Sequence, residues 1–157
     1  MNRRLWTREE LILAFNLYLK LPFGKMHKGN SEIIRLSELI NRTPSSLAMR
    51  LTNYASIDPF HLARGITGLP GGAKQCQPIW DEFNNSREEL MFESERILAK
   101  VENQTIEKKY SDILENIGSY SGKEKIREVK TRVNQNVFRQ IVLNIYSSKC
   151  AISGIDI

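Results

Sequence analysis

The polar chemistry of this sequence concentrates first in "NRTPSSLAMRLTNYAS". There Ser45, Ser46, Met49, Arg50 and Asn53 fall on the side of a helix opposite Leu47, Ala48, Leu51 and Tyr54, with Arg42 in the turn before it. On nucleic acid, short serine side chains at a helix start allow close approach, and the backbone N–H groups there meet a phosphate. Arg50 suits a guanine edge, Asn53 an adenine edge and Arg42 a phosphate. Lys74, in a Gly-rich stretch downstream, adds a candidate phosphate contact. A plain three-helix bundle with one polar side reads the same way.

Other chemistry-bearing residues lack partners at useful spacing. Glu88, Glu89, Glu93, Glu95 and Glu102 have no Glu-x-x-His pairing beside them, so a solvated helix face is expected. His27 and His61 lie in expected loops without ligand-spaced carboxylates or histidines, which points to structural or surface roles. Cys76 and Cys150 are too far apart in sequence for a zinc pair, and Cys150 is expected to be a small buried thiol. "ARGITGLPGGAKQCQP" lacks the Lys-Ser/Thr ending of a phosphate-binding loop and is expected to be a surface loop. No catalytic residue and no metal ligand is therefore assigned.

The elements that position these residues are helical. "WTREELILAFNLYLKL" opens with Thr7 as N-cap and Glu10 closing a capping box, Trp6 and Leu11 stand where a hydrophobic staple packs, and Pro22 ends the helix. "SEIIRLSELI" follows with Ile33, Leu36, Leu39 and Ile40 inward. After Asn41 and Arg42, Thr43 caps the third helix and Pro44 takes its first position. Residues 4–56 are expected to share one core through Trp6, Phe15, Leu36, Leu39, Leu47 and Leu51. From Pro78 the chain turns helical again, with a break near Asn84-Asn85-Ser86. "SYSGKEKIREVKTR" reads as a charged linker, and a last helix, capped by Asn134 or Asn136, turns Phe138, Ile141, Val142, Ile145 and Tyr146 inward.

Charge is unevenly spread along the 157 residues. Residues 1–75 hold 11 Lys/Arg against 5 Asp/Glu, residues 76–117 hold 5 against 10, and residues 118–157 hold 7 against 3. Two basic ends flanking an acidic middle suit a polyanion partner or a merely solvated surface. No apolar run approaches membrane-spanning length, no signal peptide opens the chain, and two cysteines make no disulfide framework. The expectation is a cytoplasmic protein with DNA as partner, no membrane association and no small-molecule ligand.

Two sets of residues resemble known families. Trp6-Thr7 before an acidic helix start, with "RTPSSLAMRL" at the third helix, resembles Myb/SANT-type trihelical modules. "WTREELILAFNLYLKLPFGKMH", "INRTPSSLAMRLTNYASIDP", "RGITGL" and "RVNQNVFRQIVLNIYSSKCAISGIDI" together resemble the N-terminal region of bacterial HNH endonucleases of restriction type. The resemblance implies a mostly α chain with four parts. Residues 1–75 form a three-helix, helix-turn-helix-like DNA-binding module, 76–117 a helical connector and 118–132 a linker. Residues 133–157 are then the start of a ββα-metal nuclease module, with "KCAISGIDI" as its first strand and turn. In that family a histidine base and further Asn and His residues follow, with a divalent metal. None of them stands in this sequence, so the chain is expected to bind DNA but not to cut it. The alternatives are a stand-alone helix-turn-helix DNA-binding protein or a helical interaction protein.

Overall fold

The computed structural model describes residues 4–69, 71–115, 120–146, 148–150 and 152–156. Among these residues the chain is mostly helical: α1 (Arg8–Lys20), α2 (Ser31–Leu39), α3 (Pro44–Ala55), α4 (Pro59–Leu62), α5 (Gly72–Phe83), α6 (Arg87–Val101), α7 (Ile106–Lys109), α8 (Ser111–Leu114) and α9 (Gly122–Ile145).

The expected caps set the first elements. Thr7 Oγ1 accepts from Glu10 N at 3.2 Å and Glu10 Oε2 accepts from Thr7 N at 2.9 Å, closing the capping box. Thr43 Oγ1 accepts from Ser46 N at 3.2 Å, and Pro44 opens α3 where a missing N–H costs nothing. From Glu10 to Tyr18 every residue of α1 is buried, so α1 is an interior helix that packs on α3, α5 and α6. Its polar member, Asn16, donates to Ser94 Oγ of α6 at 2.8 Å. Phe15 stacks on Tyr54 at 4.8 Å and meets Trp80 at 5.2 Å, and Tyr54 OH donates to Leu11 O at 2.9 Å. The core is thus shared by α1, α2, α3, α5 and α6, and residues 4–56 do not close it alone. Leu39, expected inward, is 37 % exposed.

Further expectations are corrected. The Gly-rich stretch stops being a loop at Gly72, and α5 runs through Pro78 with Cys76, Ile79, Trp80 and Phe83 buried. Pro78 has no N–H for the Lys74 carbonyl, but the apolar face is covered and the helix persists. A boundary at residues 75 and 76 therefore falls inside α5. The charged segment 118–132 is no free linker from Gly122 onward, because α9 begins there, and Asn134 and Asn136 lie inside α9 instead of capping it. Val129, Val133 and Val137 face α6 and α8 in a second, smaller cluster that includes Ile106 of α7. Phe138 is 63 % and Tyr146 49 % exposed, both outside that cluster.

At the tail, Lys149 and Asp156 form one isolated antiparallel bridge. Cys150 N donates to Ile155 O and Gly154 N to Cys150 O, both at 2.8 Å, with Gly154 at φ +71°. The Ser153-Gly154 turn is therefore present, without a strand of any length among the described residues. Ala151, Ile157, residues 116–119 and the Ile145 side chain lie outside the described residues. No helix among the described residues is long and apolar enough to cross a membrane.

Candidate functional site

Five of the seven residues singled out by sequence line one cleft of about 480 Å³: Arg42, Ser46, Met49, Arg50 and Asn53. Its other walls are the segment before α1, with Arg4 and Trp6, and the stretch that leads into α5, with Leu69 and Gln75. Ser45 and Lys74 are both exposed and lie outside the lining.

The outer side of α3 is not open, as its own periodicity suggests, because α5 packs against it. Arg50 is only 7 % and Asn53 3 % exposed, which corrects the placement of both on a free face. Asn53 Oδ1 accepts from Leu69 N at 3.0 Å and so fixes the loop before α5. That loop comes so close that a Cβ on Gly72 would stand 2.4 Å from Asn53 Nδ2, and one on Gly68 2.8 Å from Asn53 Oδ1. Only residues without side chains allow this approach.

The two inner arginines differ sharply. Arg42 has a 10 % exposed side chain. It donates from Nε and Nη2 to the Glu10 carboxylate at 3.1 and 2.8 Å, from Nη1 to Arg4 O at 2.9 Å and from Nη2 to Leu5 O at 2.7 Å. It clamps the N-terminal segment onto α1 and spends its donors internally, so the phosphate role expected of it does not fit this position. Arg4 also pairs with Glu10 and donates to Ile40 O at 3.0 Å. Burial pushes the Glu10 carboxyl up. The hydrogen bonds from Arg42 and Thr7, with the charges of Arg42 and Arg4, outweigh that and hold it below its ordinary value.

Among the described residues Arg50 has no carboxylate partner. Its partners are Gly72 O at 3.2 Å, Gln75 Oε1 at 2.8 Å and Cys76 Sγ at 3.6 Å, and its Nε is buried without a partner. The Trp6 ring lies 4.6 Å from the Arg42 guanidinium and 4.7 Å from that of Arg50. The cleft therefore joins three arginines to one adjoining carboxylate, Glu10, and carries a net positive charge over an apolar wall.

Trp6 and Arg4 were not legible as site residues. Trp6 has the signature of a staple, and only the meeting of α3 with the N-terminal segment shows it as a cation–π partner.

The remaining candidates separate as follows. His27 is exposed. His61 is buried against Phe23, Phe60 and Tyr18, in α4 and not in a loop, and its Nδ1 has no partner. Glu95, expected to be solvated, is buried and accepts from Tyr110 OH at 2.6 Å with Lys109 at 3.4 Å. Cys150 is half-exposed and not buried, and hydrogen bonds from Ser153 lower its thiol to about 7. Among the described residues no three His, Cys, Asp or Glu side chains are grouped to hold a metal. Comparison with family models, curated proteins and solved structures finds no match to the chain.

Proposed function

We propose that the chain binds duplex DNA, as the DNA-engaging portion of an HNH-type endonuclease, through the cleft between α3 and the N-terminal segment. α2 and α3 serve as a helix-turn-helix variant. The exposed first turns of α3 present Ser45, Ser46 and Met49 to a groove, and Arg4 and Lys74 meet the backbone. Arg50 is the cationic floor that draws a phosphate in. Hydrolysis is not assigned to these residues, since neither His27 nor His61 has a partner suited to activating water.

The observation that carries this reading is Arg50 itself. A buried guanidinium without a carboxylate is costly, and a phosphate drawn into the cleft would supply the missing counter-charge. The competing account is a brace, because Arg50 ties α3 to Gly72 and Gln75.

Arg50→Met separates the two. As a ligand-directed charge, Arg50 can be replaced with stability held within about 1 kcal/mol of the parent or above it. Duplex affinity then falls by about 1–3 kcal/mol, and the salt slope becomes shallower by about one unit. As a brace, its loss lowers the melting temperature and leaves affinity unchanged among folded molecules. Fluorescence anisotropy of a labelled duplex over a salt series reads the affinity, and Arg4→Ala and Lys74→Ala should weaken all duplexes alike. Absence of salt-dependent binding by the parent protein at tens of micromolar, above the weak end of nonspecific affinities, defeats the proposal.

A further inference from the structure

A second groove, of about 550 Å³, runs between α6 and α9 and shares no residue with the α3 cleft. Its α9 wall is a stripe at helical spacing: Arg127, Lys130, Asn134 and Phe138, about 16 Å long at 1.5 Å per residue. Met91 and Arg87 of α6 face it. Phe138 is 63 % exposed, as Ile126 of the same helix is at 65 %, whereas Val129, Val133 and Val137 are covered. Asn134 is 92 % buried, with a relative exposure of 8 %. Its Nδ2 donates to Glu88 O at 3.0 Å, and its Oδ1 has no partner.

Taken one by one, these features are ordinary. Together they describe an unfilled demand. A buried carbonyl oxygen calls for an N–H donor, a bare aromatic face calls for a flat apolar partner, and the cations call for negative charge. Lys130 is tied to Glu89, whereas Arg127 has no ion pair among the described residues; Arg87 lies 5.9 Å from the Phe15 ring and donates to Asn84 O at 3.2 Å, and Glu88 is the acidic residue of the lining.

We propose that this groove binds single-stranded DNA, with an unpaired base stacked on Phe138 and its amino edge donating to Asn134 Oδ1, and the flanking phosphates on Arg127 and Arg87. A positive groove with an exposed aromatic ring is the general arrangement for unpaired nucleic acid. One nucleotide supplies the planar face, the N–H edge and the charge within a single residue unit. An acidic peptide needs several residues in fixed order to do the same. A duplex fails here because its base faces and pairing edges are already occupied. The proposal does not depend on the duplex reading of the α3 cleft.

The test uses the full chain and a short labelled dA oligonucleotide, followed by anisotropy at low salt, beside a strand of equal length whose sugars lack bases. The parent protein should bind the dA strand about tenfold or more tightly than the abasic one, because stacking on one aromatic side chain is worth that much. Phe138→Ala should lose that difference, keep the parent's melting temperature because the ring is already exposed, and bind duplex as the parent does. Arg127→Ala should flatten the salt dependence for both strands. Equal affinity of the parent for dA and abasic strands overturns the proposal, as does no binding of either. Tighter binding of an alternating Asp-Leu peptide, with the same dependence on Phe138, assigns the groove to a peptide partner and overturns it as well.

Discussion

α1 and α9 are built on opposite plans. α1 has 13 residues and hides nine in succession, whereas α9 has 24 and buries Val129, Val133, Asn134 and Val137. α1 is gripped by α3, α5 and α6, and its buried polar residues Glu10, Asn16 and Tyr18 all find partners. α9 leans on α6 and on the two short helices before it through one line of valines. Length therefore says little about which helix holds the molecule together. Covered apolar surface does, at roughly 25 cal/mol for each Å² removed from water. The same difference separates the two clefts. Beside α1 the aromatic ring, Trp6, is already engaged by two guanidinium groups, while on α9 the ring of Phe138 stands bare.

The sharpest way to break this contrast is to cut each helix at its anchor. Phe15→Ala, at a fully buried ring stacked on Tyr54, should cost about 3–5 kcal/mol in denaturant melts. Arg42→Ala takes two hydrogen bonds from the buried Glu10 carboxylate, leaving it Arg4 and Thr7 N, and should cost about 1.5–3 kcal/mol, whereas Arg50→Met is expected to stay within about 1 kcal/mol of the parent. A loss below 1 kcal/mol at Arg42 would erase the distinction between the two arginines. Val133→Ala, in α9, removes two buried carbon groups and should cost about 1.5 kcal/mol. Amide exchange should show α9 opening well before α1, and equal protection of the two would contradict the picture of a lightly held helix.

The smallest effect is a pH dependence. Because the folded state holds the Glu10 carboxyl below its ordinary value of 4.5, its contribution is present above that value and lost as pH falls through the folded one. Thermal melts below about pH 4.5 should fall more steeply for the parent than for Glu10→Gln.

The beginnings of α1 and α3 were legible because their signals are local. Thr7 with Glu10, and Thr43 with Pro44, act within one turn of themselves. α5 was hidden for the opposite reason. Gly71, Gly72 and Pro78 carry loop propensity, and only the burial of Cys76, Ile79, Trp80 and Phe83 against other elements overrides it. That omission produced the largest error at the site. With Gly72–Gln77 reading as a loop and the helix starting only at Pro78, the second side of α3 looks open, which places Arg50 and Asn53 in solvent. The internal bonding of Arg42 is not legible, since its partners Glu10, Arg4 and Leu5 lie more than thirty residues away. In the tail half, the charge density of residues 118–132 imitates a linker, although Val129, Val133 and Val137 already carry the four-residue repeat of a packed helix. The exposure of Ser45 and Met49 follows from the periodicity of α3 itself.

The contact between Asn53 and the two glycines has a hereditary consequence. Positions 53, 68 and 72 form one unit of descent, in which a side chain can be gained at 72 only after the amide at 53 has been given up. Gly72→Ala alone should pry the loop off α3, and Asn53→Ala in the same molecule should restore much of what was lost. Relatives of this chain that diverge here are expected to change in that order, smaller at 53 before larger at 72, because the reverse order passes through a poorly folded intermediate.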